Sequence, residues 1–272
     1  MSSSPLIFQP SAVIQGLARA QKNYADHNFL LHWCARSLCD RLEDIKRDFH
    51  KVLILSVREA EELTPLFPNA DITILERPIV TPQDIPVGEG YDLILSSWDV
   101  HKINDVPGVL ACLRHALKPD GVFLACLPGG ETLHELRTCL LHAELKILGG
   151  ASPRVFPFVD KQQVGALLQR AGFSLPVVDS DIVHVSYRDI FHLMADIRGM
   201  GERNSLAGRY RSFTPSRLFF EAGKHYAEVF GEDDGRISAS FEMIFLIGWA
   251  PHDGQQQPAK RGSGKVPLSD VL

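Results

Sequence analysis

Several things are scarce in this sequence. No apolar run among its 272 residues approaches the roughly 20 needed to cross a bilayer, and Met1 to Pro10 places no basic residue ahead of an apolar stretch. A membrane span and a secretory leader are therefore not expected. Ser2 to Ala25 has Arg19 and Lys22 and no acid, too thin a basic content for a transit peptide. The five cysteines, Cys34, Cys39, Cys112, Cys126 and Cys139, form an odd set with no C-x-x-C spacing and read as buried thiols of a reducing compartment. Eleven histidines make no H-x-x-x-H pair, no zinc spacing appears, and no G-x-S-x-G turn is present, so metal and serine hydrolysis drop out. Positive charge is in deficit: 28 Lys and Arg face 33 Asp and Glu, a net charge of −5, which leaves no global field to hold a nucleic-acid backbone. The expectation is a cytoplasmic chain, peripheral to a membrane only through a partner, with its oligomeric state open.

What is present is ordinary globular composition, 45% apolar and 22% charged, enough for one domain with elaborations. Leu31, Cys34, Leu38, Leu42, Ile45 and Phe49 recur at helical spacing among charged residues and predict a helix lying on a sheet. Short apolar, β-branched runs follow at Val52–Val57, Ile72–Leu75, Tyr91–Trp98 and Val122–Leu127, separated by helical patterns such as Val106–Leu117. That alternation means parallel strands joined by crossovers, an open α/β sheet covered on both faces. Past Pro128-Gly129-Gly130 the pattern gives helices over Glu131–Leu148 and Asp160–Ala171, a strand over Val177–Val185, two helices over Tyr187–Arg198 and Pro215–Phe230, and a last strand over Ser240–Trp249. The expected organisation is an extension over 1–29, a domain over 30–250 with a helical insertion at about 187–235, and a mobile tail over 251–272.

Ligands of such sheets lie beyond the carboxyl ends of the strands, here the turns after Ser56, Leu75, Ser97 and Leu127. Glu76 directly follows the second strand, where a carboxylate can accept from both hydroxyls of a ribose; an acid ending a strand is as often merely solvated. The first turn should carry glycine, because a nucleoside against the backbone leaves no room for side chains. It reads Ser56-Val57-Arg58-Glu59-Ala60, with none. His101, on the exit loop of the third strand, is a candidate base, although a lone loop histidine is more commonly a surface or hydrogen-bonding group. His134, Glu135 and Arg137 sit on a helix whose amino end faces the same cleft; an amphipathic helix with a glycine entry explains them equally well.

The run Tyr91-Asp92-Leu93-Ile94-Leu95-Ser96-Ser97, then Val100-His101-Lys102-Ile103-Asn104-Asp105-Val106-Pro107, then Leu117-Lys118-Pro119-Asp120-Gly121-Val122-Phe123, resembles the class I S-adenosylmethionine-dependent methyltransferases. Gly129-Gly130-Glu131-Thr132-Leu133-His134-Glu135-Leu136-Arg137, the stretch Leu193 to Asn204 and Ile247-Gly248-Trp249 resemble more narrowly the methyltransferase-fold assembly factors of respiratory complex I and their bacterial relatives. That resemblance implies a Rossmann-like, mostly parallel sheet of seven strands and S-adenosylmethionine as cofactor, with Ser56, Glu76, Asp84 and Ser97 at the cofactor and His101 beside the reacting end. The absent glycine loop weighs against the cofactor. The resemblance also implies action on a protein partner such as a complex I subunit, across a surface of Gly129, Gly130, Glu131, His134, Arg137, Gly201, Glu202 and Asn204. Its members include arginine hydroxylases, and more distant ones methylate a carboxylate on a carrier protein. The alternatives are a non-catalytic assembly chaperone and a small-molecule or carrier-protein carboxyl methyltransferase.

Overall fold

The computed structural model describes residues 6–58, 60–86 and 88–256. Its elements in chain order are α1 (Pro10–Ala20), α2 (Phe29–Glu43), β1 (Lys51–Ile54), a one-turn α3 (Ala60–Leu63), β2 (Asp71–Ile74), β3 (Tyr91–Ser97), α4 (Val106–Ala116), β4 (Leu117–Pro128), α5 (His134–Leu148), α6 (Lys161–Arg170), β5 (Ser174–Tyr187), α7 (Ile190–Gly199), α8 (Ser216–Phe230) and β6 (Ile237–Trp249). The strands form one sheet in the order β2-β1-β3-β4-β6-β5. β1 runs parallel to β2 and β3, β3 runs parallel to β4, and β6 is antiparallel to both β4 and β5.

The mostly parallel α/β architecture agrees with the sequence, but six strands form among the described residues, not seven. Every apolar run read from the sequence becomes a strand. No further strand forms between β2 and β3 among the described residues, where Pro78, Pro82 and Pro86 withhold ladder donors and Pro82–Asp84 closes a 3-10 turn.

Alternate strand residues go to opposite faces, and the core divides accordingly. Val52, Ile54, Leu93, Leu95, Val122 and Leu124 pack under α2 and α5. Leu53, Leu55, Ile94, Phe123 and Ala125 pack on α4 and α6. α2 stops at Glu43, short of the expected Phe49, because Asp44 and Asp48 disfavour the negative end of a helix. Ile45 and Phe49 still reach the core from the loop.

α5 starts at His134 instead of Glu131 because Leu133 takes a left-handed φ of 55°. There the preceding turn is tied to β6, with Leu133 N donating to Ser240 O at 2.7 Å and Gly129 N to Glu242 O at 2.8 Å. α7 and α8 form the expected insertion between β5 and β6. The proposed tail lies outside the described residues from position 257 onward.

Candidate functional site at the carboxyl edge of the sheet

The turn after β1 has no glycine, yet its side chains do not fill the space before it. Val57 is 48% exposed. Arg58 swings away from the β2 side toward the exit of β3. Its guanidinium donates to Trp98 O at 3.1 Å, to Asp99 Oδ1 at 3.2 Å and to Met200 O at 3.4 Å. Ser56 Oγ accepts from the Arg58 backbone N at 3.1 Å and fixes the start of that course.

What remains beyond β1 and β2 is a cavity of ≈ 450 Å³ whose walls include Ser56, Val57, Arg58, Glu76 and, from the amino-terminal helices, Leu17 and Tyr24. Glu76 is exposed on that wall. The cavity has the size of a small-molecule site. An acid where the ribose of an adenosyl group would lie, beside a turn whose arginine is drawn away, fits such a group. Ser56 and Glu76 are the residues that would hold it.

Trp98, with φ 59°, breaks β3 and folds Asp99 to Lys102 back over the sheet edge. Five charged or titratable side chains meet there. Glu202, from the loop after α7, accepts from His101 Nε2 at 2.9 Å and from Lys102 Nζ at 2.7 Å, and Arg58 lies 3.7 Å from the same carboxylate. Exposure of these side chains runs from 3% at His101 to 13% at Arg58.

Two cations, two carboxylates and a neutral imidazole balance one another, which is what burial demands. Burial alone would push the Glu202 carboxyl up, but the neighbouring Lys102 and His101 hold it well below the usual carboxylate range. Burial pushes Asp99 up even with Arg58 beside it, and pushes His101 and Lys102 down even with Glu202 beside them. An ionised carboxylate only accepts, so His101 carries its proton on Nε2. Its Nδ1 is buried and has no hydrogen-bond partner among the described residues.

A second cavity of ≈ 410 Å³ opens on the other side of this cluster. Trp98, Phe156, Phe158, Phe219 and Phe241 wall it, and Glu202 is on its surface. Met200 lines both cavities, so a residue of the insertion separates them.

The structure brings Ser56, Glu76, His101 and Glu202 to one edge, and Asn204 onto the second cavity. Gly201 is also there: it has φ +84°, its carbonyl accepts from Lys102 Nζ at 3.4 Å, and a Cβ would come within 2.8 Å of Leu17. Ser97 is buried, and its hydroxyl has no partner among the described residues. Asp84 is not on the wall of the first cavity. Its carboxylate instead accepts from the backbone N of Val80 at 2.9 Å and of Thr81 at 2.8 Å.

The Gly129 to Arg137 motif is used largely within the fold. Glu131 N donates to Glu242 Oε2 at 3.0 Å, His134 Nδ1 lies 3.1 Å from Glu131 O, and Arg137 donates to the carbonyls of Gly130 and Thr132. A Cβ on Gly129 would lie 2.5 Å from the Glu242 carboxylate, whereas the nearest atom to one on Gly130 is 3.9 Å away. Sequence reasoning does not single out Asp99. The signal for Asp99 is a charged residue placed directly after a strand run and its Trp98.

No family model matches this sequence. Curated relatives do. The arginine-hydroxylase NDUFAF5, mitochondrial, of Rattus norvegicus is 35% identical over 282 residues, covering 94% of this chain and 82% of that protein. The chain belongs to the arginine-hydroxylase NDUFAF5 family.

The Danio rerio member is 43% identical over 181 residues, and that alignment spans 66% of this chain and about half, 56%, of the relative. A malonyl-[acyl-carrier protein] O-methyltransferase of Xylella fastidiosa is 34% identical over 168 residues, 61% of this chain and 55% of that enzyme. Among solved structures, a putative methyltransferase of Bacillus halodurans superposes with a TM-score of 0.51 at 14% identity, covering 79% of this chain and 99% of its own. That similarity establishes the methyltransferase fold. Among the described residues no helix is long and apolar enough to cross a membrane, and no group of His, Cys, Asp or Glu is arranged to hold a metal ion.

Proposed function

We propose that this family member binds S-adenosylmethionine in the ≈ 450 Å³ cavity and acts, through the adjoining cavity, on a side chain of a protein partner, such as a subunit of respiratory complex I. The observation that carries this reading is the open cavity at the ends of β1 and β2, with Glu76 and Arg58 on its wall and the Arg58 guanidinium held by Asp99. When bound, the cofactor supplies an electrophilic carbon on its sulfonium. The protein's part is then mainly to place two reactants side by side and to keep water out, which accounts for much of the barrier lowering in such reactions.

The relatives' name points to an arginine as the group acted upon, and the second cavity suits one. Aromatic walls attract a cation through their ring faces, and Glu202, whose carboxylate is shared by His101 and Lys102, lines the same space. His101 stands one hydrogen bond behind Glu202 and acts as a positioning residue for it.

Calorimetric titration with S-adenosylmethionine tests the reading. Micromolar affinity in the natural chain that disappears in Glu76→Ala supports it. No heat at millimolar ligand would instead make the protein a non-catalytic assembly factor.

A further inference from the structure

The first part of the insertion is rich in arginine. Positions 188–217 hold Arg188, Arg198, Arg203, Arg209, Arg211 and Arg217 against Asp189, Asp196 and Glu202, whereas the remainder to 235 holds Lys224 against Glu221, Glu228, Glu232, Asp233 and Asp234. The acids of positions 188–217 are already engaged. Asp189 caps α7 through the backbone N of Phe191 and His192, Asp196 bonds His27 Nδ1, and Glu202 belongs to the buried cluster.

Two of the arginines, Arg198 and Arg203, line the second cavity while remaining exposed. The insertion packs on α1, whose Gly16 lies against Gly201 O, and this brings Arg19 of α1 near Arg203. Arg19, Arg198 and Arg203 make no ion pair with a carboxylate among the described residues. Burial, with those two neighbours adding to it, pulls Arg203 below the usual guanidinium range. Exposed aromatics rim the same region: Phe191 at 41% exposure lines the cavity and packs edge-on to Phe220, which is 64% exposed. Exposed large aromatics beside arginines are the composition of a protein-binding surface.

We propose that the second cavity, the arginines on its wall, Arg198 and Arg203, and Arg19 near Arg203 form a docking site for an acidic segment of the partner protein, whose carboxylates pair with the arginines while one side chain enters the aromatic cavity. Charge complementarity selects this occupant. Three unpaired guanidiniums repel a basic segment, and each can take a carboxylate in bidentate fashion. The inference rests on the reading that the acceptor is a protein, but it does not require that any cofactor bind.

The test uses the full chain without cofactor and two fluorescein-labelled peptides of about 15 residues. Each has a central arginine and phenylalanine; one is flanked by glutamates and the other by lysines. The glutamate peptide should bind at least tenfold more tightly, with an affinity that falls as salt rises. The double variant Arg198→Glu, Arg203→Glu, whose sites are exposed and whose fold is checked by thermal melting, should reverse the preference. Equal affinity for the two peptides, no binding of either, or an unreversed preference in the variant would overturn the proposal. Binding of anionic phosphatidylglycerol vesicles without binding of the glutamate peptide would overturn it too, in favour of a lipid surface. Because S-adenosylmethionine affinity is measured separately, docking can fail while the cofactor reading stands, and the reverse.

Discussion

Glu202 and His101 meet at 2.9 Å across the sheet edge, one from the insertion and the other from the exit loop of β3. The same carboxylate takes Lys102 at 2.7 Å, so a single acid joins the inserted helices to the methyltransferase core.

Removing that acid leaves the buried Lys102 ammonium without the carboxylate that accepts from it and His101 Nε2 without its acceptor, with two buried cations facing Asp99 alone. Breaking a buried ion pair from one side is far costlier than the pair is worth, because the remaining charge stays desolvated. Glu202→Ala is expected to lose about 3–5 kcal/mol of unfolding free energy in urea titration. Adding Lys102→Met to that variant should recover part of the loss. An unchanged midpoint in Glu202→Ala would mean that the cluster is not formed in solution.

The cluster also sets an acid limit. Burial holds the folded pKa of His101 below its ordinary 6.5, with Lys102 and Arg58 adding to the effect and Glu202 opposing it. As pH falls through 6.5 the unfolded chain takes up this proton while the folded chain does not. Stability present above 6.5 is therefore lost on the way down, at no more than about 1.4 kcal/mol per pH unit for one group. His101→Gln removes this proton, so its unfolding free energy, referred to its own value at pH 7.5, should fall less steeply between pH 6.5 and 5. Parallel curves for the two proteins would contradict the assignment.

The glycine pair at the end of β4 separates a structural from a surface role. Gly129→Ala drives a Cβ to 2.5 Å from the Glu242 carboxylate, which also holds Glu131 N, and should destabilise by about 1–3 kcal/mol. Gly130→Ala meets nothing closer than 3.9 Å and should be neutral in the same thermal melts. Equal effects would show that the turn adjusts.

The fold was legible because its signals are local: the β-branched runs around Val52, Ile94 and Phe123 and the periodic α2 each declare themselves within a few residues. The seventh strand was carried by resemblance alone, and among the described residues the prolines after β2 withhold ladder donors from the segment before β3. The site was legible only in part. Glu76 and His101 announce themselves by their place at strand ends, but the course of Arg58 depends on Asp99, Met200 and Glu202, which lie 41, 142 and 144 positions further along the chain. A glycine-free turn reads in sequence as an obstruction. In three dimensions its arginine is recruited by those distant partners and the space stays open. In the Gly129 to Arg137 motif the backbone is bound into the fold by Glu242, a contact 113 residues away from Gly129, while Glu131 and Arg137 stay exposed.

Photo-crosslinking with radiolabelled S-adenosylmethionine tests most directly whether that space holds the cofactor. Irradiation followed by peptide mapping should place the label in the segments around Leu17 to Asn28 and Leu55 to Arg77, which wall the first cavity, and excess S-adenosylhomocysteine should abolish it. Label confined to other peptides, or the same yield with and without competitor, would contradict the account.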